Sequence, residues 1–416
     1  MKKLFFIVFI ALFFSFFSYA LDTPLPKANP ESVGFSSERL NKIDTVFNKG
    51  IKENKIPGAV IAIARKGKLV YFKAFGMQNA EEGIPMSTDS IFRIYSMTKP
   101  LVSISAMQLH EDGKLYLSEP VSKYLPELAT MKVAKDNNNT IEITDAKRTI
   151  KIHDLLRHTS GFTYGIFGKS AAKKLLKESD IGTLDTMHIS LEDYVSTISK
   201  LPLAYQPGTH WEYGRSIEVL GRLVEVVSEN NLDYFMKKYL FEPLNMKDTD
   251  FYVTEENWSR IAEPLKNNDE PELIDIKNKP KLLTGGHGLA STAGDYIRFI
   301  QMMLNKGILD GKRILGTQTV DYITTDHLGK DISRAGPLYL PGPGYGFGLG
   351  FAVRENDGIS AWPGSVGEYF WGGYAGTYFW VDPKEDLVVV SMTQSVKHRV
   401  YYRMLLRNLV YQAIID

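Results

Sequence analysis

The sequence predicts an α/β (α+β) protein: an antiparallel sheet flanked by helices, with a mostly helical domain inserted into it. Three observations point there. An amphipathic helix followed directly by a strand hairpin opens the chain. The middle third is dominated by helical apolar stripes, and the last part is rich in short strands and closes on one more amphipathic helix. A sheet begun near the N-terminus and finished near the C-terminus brings the two ends together and leaves the helical middle as an insertion.

Each element has its own local cause. Ser36 or Ser37 caps a helix whose stripe is Leu40, Ile43, Phe47 and Ile51. Pro57-Gly58 ends it. Ala59 to Ala64 reads as a buried strand, Arg65-Lys66-Gly67-Lys68 as a tight turn and Leu69 to Phe75 as the returning strand. A helix predicted after Ser96 carries Leu101, Val102, Ile104, Ala106, Met107 and Leu109 and stops at Asp112-Gly113. Residues 131–152 read as an exposed hairpin, and His153 to Phe162 as a short helix and turn with packing histidines. Gly214 to Glu229 and Leu232 to Phe241 are amphipathic helices; Thr292 or Ser291 caps another through Tyr296, Phe299, Ile300 and Met303. A Gly/Pro-rich loop from Pro337 to Gly350 precedes strands at Phe347 to Val353, Tyr369 to Trp371, Thr377 to Val381 and Leu387 to Thr393. The helix Val400 to Ile414 ends the chain. The expected division is residues 21–90 with 285–416 as a discontinuous α/β sheet domain, and 91–284 as the helical domain.

Composition narrows the function. Lysine plus arginine (49) nearly balance aspartate plus glutamate (48), a formal charge of +1, so there is no basic field to hold nucleic acid. There is no cysteine, which excludes disulfides, thiol catalysis and cysteine-bound metal. No metal set or nucleotide loop is visible, so no cofactor is expected. Met1-Lys2-Lys3, the apolar run Leu4 to Phe17 and Ser18-Tyr19-Ala20 read as a secretory signal cleaved near Ala20, with export to the periplasm or medium and no stable membrane span afterwards.

Chemistry concentrates in Ile94-Tyr95-Ser96-Met97-Thr98-Lys99-Pro100. Residues at i and i+3 share a helix face, which places the Lys99 amine beside the Ser96 hydroxyl. A serine is a weak nucleophile until a base takes its proton. A lysine serves only as the neutral amine, and bringing its pKa from about 10.4 to about 7–8 requires roughly 4 kcal/mol of environmental work. The pair Ser170/Lys173 has the same spacing but lies among Lys174, Lys177 and Glu178, and reads as a solvated helix face. Two further stretches can complete a site. Tyr213, just ahead of the Gly214–Glu229 helix, is a second base candidate. Tyr369-Phe370-Trp371-Gly372-Gly373-Tyr374 puts a glycine pair at a strand end, where a backbone can pass close to a ligand.

The order Ser96-x-x-Lys99, then Tyr213, then a Gly-containing strand triad resembles the serine β-lactamase and penicillin-binding-protein superfamily. The likeness extends through Leu155 to Gly161, Leu220 to Glu225 and Phe241 to Met246. It implies a β-lactamase/transpeptidase-like fold, Ser96 as nucleophile, and Lys99 and Tyr213 as the proton shuttle. It also implies an oxyanion hole from the N–H groups of Ser96 and Tyr374. Two positions depart from the class C β-lactamases. Arg215 stands where they carry asparagine, and Trp371-Gly372-Gly373 replaces Lys-Thr-Gly. The Trp-x-Gly triad resembles the family VIII carboxylesterases. The expected activity is therefore an exported serine hydrolase on small or medium esters, with Trp371, Gly372, Gly373 and Arg215 binding substrate. A β-lactamase, D-amino-acid peptidase or acyltransferase on the same scaffold is the alternative, and a catalytically dead wall- or peptide-binding protein the alternative from another class. Arg215 either acts on Tyr213 or faces solvent; His287 and Glu368 lie in glycine-bearing segments that can approach the site.

Overall fold

The computed structural model describes residues 23–137, 140–182, 188–266, 270–335 and 339–416; the signal segment read at residues 1–20 lies outside them. Its centre is one eight-stranded sheet whose pairs are all antiparallel. In chain order the strands are β1 (Gly58–Arg65), β2 (Lys68–Asn79), β3 (Ile84–Pro85), β4 (Tyr345–Phe347), β5 (Ala352–Arg354), β6 (Tyr369–Gly372), β7 (Tyr378–Asp382) and β8 (Leu387–Met392). Their spatial order is β4-β5-β6-β7-β8-β1-β2-β3. The N-terminal hairpin and the C-terminal strands therefore join through β1 and β8, with Ile63 opposite Val389. One expectation fails here. Phe347 to Val353 is not a strand but the turn of a hairpin, because Gly350 takes φ 98°, a conformation that glycine adopts freely.

Both faces of the sheet are covered, as its uninterrupted apolar strands require. All eight residues of β1 are buried. Successive strand residues point to opposite faces, so Phe379 and Trp380 mark the two sides. Tyr296, on the helix Ala293–Leu304, packs on Phe379 with ring centroids 5.1 Å apart. The C-terminal helix Arg399–Tyr411 covers the opposite side, with Tyr411 stacked 6.4 Å from Trp380. Phe47 of the Lys42–Lys52 helix meets Tyr402 at 5.3 Å on that same layer.

Under the C-terminal helix lies a charge cluster. Glu368 is fully buried and accepts hydrogen bonds from Arg407 (2.8 and 2.9 Å), Arg354 (3.1 Å), the Tyr411 hydroxyl (3.1 Å) and the Tyr345 hydroxyl. These bonds tie β4, β5 and the last helix together, and they place Glu368 in the sheet's back layer, away from Ser96. Glu368→Ala leaves two buried guanidinium groups without their carboxylate, at a cost of about 3–5 kcal/mol. At ~2.1 cal/mol/K per residue this lowers Tm by roughly 4–6 °C. Differential scanning calorimetry of the variant checks the figure, and an unchanged Tm rejects the cluster as a stabiliser.

On the far side of the sheet, the helix Thr98–Glu111 packs along the helix Ser216–Ser228. Eleven of its fourteen residues are buried, Lys99 among them. This helix is buried nearly all round, enclosed by the fold rather than laid on its surface. The Ser170–Lys173 segment departs from the expected solvated face. Ala171, Ala172 and Lys173 are buried, with Lys173 Nζ 2.8 Å from Glu212, because pairing offsets the cost of burying its charge. Among the described residues, no helix is long and apolar enough to cross a membrane.

Candidate active site

Ser96 sits in a tight helical turn, Tyr95–Met97, that runs straight into the Thr98–Glu111 helix. Tyr95 takes φ 44°, a left-handed conformation that costs a bulky residue about 1–2 kcal/mol. Its side chain is fixed from two directions. The hydroxyl accepts the Ile274 N–H at 3.0 Å, and the ring meets Tyr374 edge-on at 5.5 Å. The turn is pinned from below as well. The Ile94 N–H donates to the Leu289 carbonyl (3.0 Å), the Leu289 N–H to Thr98 Oγ1 (3.1 Å) and the Tyr296 hydroxyl to the Met97 carbonyl (2.9 Å). Ser96 is left partly exposed while its neighbours on both sides are buried.

Lys99, one turn inward, is 1% exposed. Its Nζ lies 3.3 Å from Ser96 Oγ and donates to the Gly286 carbonyl at 2.6 Å and to the Tyr164 hydroxyl at 3.0 Å. Tyr164 in turn donates to Glu218 Oε1 at 2.9 Å. Glu218 is fully buried on the Ser216–Ser228 helix, and His287 Nδ1 is 3.5 Å from the same oxygen. Gly286 must be bare: a Cβ there would stand 2.2 Å from Glu218 Oε1. Burial alone would raise the Glu218 pKa. The hydrogen bond from His287 and the charges of Lys99 and Arg215 outweigh it and hold the carboxyl down at about 2. Burial and then the Glu218 charge push Tyr164 well above the ordinary phenol range, so it keeps its proton.

Tyr213 arrives where expected but in a different posture. Its ring face, not its hydroxyl, meets the amine, with Lys99 Nζ 4.8 Å from the ring centroid. That distance suits a cation–π contact. Among the described residues, no hydrogen bond joins the Tyr213 hydroxyl to Ser96 or Lys99. The ring is held by Trp211 (6.0 Å, stacked), Trp371 (5.4 Å), Tyr164 (5.3 Å) and His158 (5.1 Å). His158 is neutral, since burial and the Lys99 charge lower its pKa to about 3. Packing is therefore its role, as its sequence context suggests.

The glycine pair sits beside Ser96. Gly373 donates its N–H to the Thr377 carbonyl at 2.8 Å, and Thr377 Oγ1 donates to the Ile94 carbonyl at 3.2 Å. A Cβ on Gly373 would stand 2.3 Å from that same Ile94 carbonyl, so only glycine lets the 373–376 turn dock against the Tyr95–Met97 turn. Neither the Ser96 nor the Tyr374 N–H is given to a backbone carbonyl among the described residues. This is the state an oxyanion hole needs. Trp371 is buried on β6 against Tyr213 and Phe347, and Gly372 backs onto Arg403.

Arg215 takes neither of its expected places. It is 1% exposed, so it neither reaches solvent nor lines the opening. Its guanidinium donates to the Ile181 carbonyl (3.1 Å) and lies over the rings of Tyr164 (5.0 Å) and Tyr194 (5.7 Å). It supports the tyrosine that touches Lys99 rather than Tyr213. Tyr164 and Glu218 went unread in the sequence, and Gly286 was read only as part of the glycine turn around His287. Tyr164 follows the Leu155 to Gly161 run by three residues, and a glutamate beside the apolar stripe of the Gly214–Glu229 segment was a second available signal.

A serine hydroxyl, an amine one helical turn away and two amides free of backbone partners define the serine hydrolases that work through an acyl-enzyme. The Beta-lactamase family model matches residues 43–411, and the chain belongs to that family. Protein Rv1367c of Mycobacterium tuberculosis (strain ATCC 25618 / H37Rv) is 33% identical over 350 residues, 82% of this chain and 86% of its own. Esterase EstB of Burkholderia gladioli is 28% identical over 376 residues, covering 85% and 90%. Among solved structures, EstCE1, described as a hydrolase with promiscuous acyltransferase activity, superposes with a TM-score of 0.76 at 27% identity, covering 90% of this chain and 99% of that one. The protein is thus a serine hydrolase on a β-lactamase/transpeptidase-like fold.

Proposed function

We propose that the protein is an exported carboxylesterase acting on small or medium esters, with Ser96 as nucleophile, Lys99 as its base and Tyr213 and Tyr164 around the amine. The observation that carries this reading is the Lys99 Nζ to Ser96 Oγ approach of 3.3 Å inside a buried ring of aromatic side chains. Ser96 Oγ attacks the ester carbonyl and its proton passes to Lys99. The oxyanion is received by the N–H groups of Ser96 and Tyr374. Collapse breaks the bond to the alcohol oxygen, which leaves with the proton; water then hydrolyses the acyl-Ser96 ester, the same amine serving as base. Export rests on the apolar run Leu4 to Phe17 followed by Ser18-Tyr19-Ala20. The proposed division remains residues 21–90 with 285–416, and 91–284.

What favours an ester over a β-lactam is Trp371. An indole offers an apolar face to an acyl or alcohol group, whereas a lysine there would supply a charge-assisted contact to a carboxylate. EstB, named an esterase, and the hydrolase EstCE1 support the same choice. Acyl transfer is the second reading, favoured by the acyltransferase activity in the EstCE1 description. The expected result is a kcat/KM on p-nitrophenyl butyrate about 10- to 10²-fold above that on benzylpenicillin, as a loss of about 1.5–3 kcal/mol for a missing charged hydrogen bond gives. Side-by-side assays of esters, cephalosporins and D-Ala-ended peptides, with and without an alcohol acceptor, decide it. A penicillin efficiency above that of the best ester overturns the esterase reading.

A further inference from the structure

We propose that Glu218 is a positioning residue that aims the lone pair of Lys99 at Ser96 by fixing which way the Tyr164 hydroxyl donates. The inference rests on Lys99 acting as base, as proposed above.

Hydrogen-bond counting carries it. A neutral amine has two N–H donors and one lone pair; an ammonium has three donors. The Gly286 carbonyl, 2.6 Å from Nζ, only accepts, so it takes one N–H. Tyr164 Oη, 3.0 Å away, is a hydroxyl that can accept or donate. Its proton is already given to Glu218 Oε1 at 2.9 Å, so it accepts the second N–H. The remaining direction of the amine is Ser96 Oγ at 3.3 Å, and that is where the lone pair must point. After proton transfer the ammonium finds three acceptors already in place: Gly286 O, Tyr164 Oη and Ser96 Oγ. The base is preorganised before and after the step.

The direction depends on Glu218 being an acceptor only. An ionised carboxylate has no proton to return. A glutamine in its place can turn its NH₂ toward Tyr164 Oη, freeing the phenol proton to donate to Lys99 and occupy the lone pair. Gly286 locks the arrangement from the other side, because its bare Cα is what lets the carboxylate lie against the backbone that holds Lys99. The charged and titratable groups around the amine are Glu218, Arg215 over Tyr164, His158 and the Tyr213 ring. His287 stands behind Glu218.

The test is the pH dependence of kcat/KM on p-nitrophenyl butyrate for Glu218→Gln, Glu218→Asp, Tyr164→Phe and the double variant Tyr164→Phe/Glu218→Gln. In Glu218→Gln the plateau falls about 10²-fold. The loss persists at the high-pH plateau instead of being recovered by raising the pH, a pattern that separates a misdirected lone pair from a change in charge alone. Glu218→Asp, which keeps the acceptor, recovers part of the plateau. The double variant loses no more than Tyr164→Phe alone, because Glu218 acts through that hydroxyl. If Glu218→Gln does not fold, Tyr164→Phe, which removes one oxygen atom, must by itself lower the plateau. An unchanged plateau in the folded variants, or losses that multiply in the double, overturns the proposal. An active Ser96→Ala would instead sink the esterase assignment beneath it, so the two failures are told apart.

Discussion

Replacing Ser96 with alanine is expected to lower kcat on p-nitrophenyl butyrate by about 10⁴–10⁶-fold, the range seen when a serine nucleophile is removed from a preorganised site. The oxygen is the atom that would form the acyl bond, and among the described residues no other hydroxyl beside Lys99 is free to replace it. Tyr164 gives its proton to Glu218, and the Tyr213 hydroxyl has no hydrogen bond to the amine. Folding should be untouched. Ser96 is partly exposed, and among the described residues its Oγ takes part in one hydrogen bond, accepted from Lys99. Steady-state kinetics with intact-protein mass spectrometry after a fluorophosphonate check both halves. The wild type gains one adduct, mapped to Ser96, and the variant gains none. Residual activity above a tenth of wild type removes Ser96 from the mechanism.

Lys99 gives the second large effect, and two substitutions separate its possible parts. Lys99→Met keeps the length and apolar stem but removes the amine; general-base loss predicts a drop of about 10²–10⁴-fold in kcat/KM. Lys99→Arg restores the positive charge but cannot deprotonate near neutrality. If Lys99 works as a base, both variants are impaired to a similar degree and neither shows the wild-type acid limb. If it works only as a fixed charge that favours the oxyanion, Lys99→Arg recovers most of the activity, and the proton-transfer scheme fails with it. The 1% exposure of Lys99 makes crowding a concern for arginine, so thermal unfolding of each variant accompanies the kinetics.

Much of this site was legible before any coordinates. The spacing of Ser96 and Lys99 is local, and a helical turn converts three residues of separation into one face. The hairpin around Gly67, the stripe Ile43/Phe47 and the closing helix were equally local, because periods of 2 and 3.6 residues are properties of short windows. The boundaries moved by a few residues where ends fray or turn. The strand expected at Phe347 to Val353 became a hairpin because Gly350 turns the chain back inside an apolar run.

Side-chain posture was not legible. Tyr213 was placed at the site by its position in the chain, yet the hydrogen bond to Lys99 belongs to Tyr164. Which phenol accepts from the amine is settled by how Trp211, Trp371 and His158 wedge the Tyr213 ring. Arg215 looked free to reach solvent or substrate, but the ring faces of Tyr164 and Tyr194 enclose it. Lys173 looked solvated and proved buried, since the partner that offsets its charge is Glu212.

By itself, then, the sequence determined the fold class, the pairing of Ser96 with Lys99 and the apolar triad that stands where relatives in the resemblance carry a charged one. Each of these is written in neighbouring residues and in the order of motifs. Only the tertiary structure decided the environment that makes the amine useful. Tyr164 lies 65 residues from Lys99 along the chain, Gly286 lies 187 residues away, and Glu218 lies 54 residues beyond Tyr164. They meet because two buried helices pack side by side and a bare glycine lets a third segment close over them. No local pattern encodes such a meeting; it follows from filling a core without gaps while leaving each buried polar atom of the Lys99–Tyr164–Gly286 set a partner.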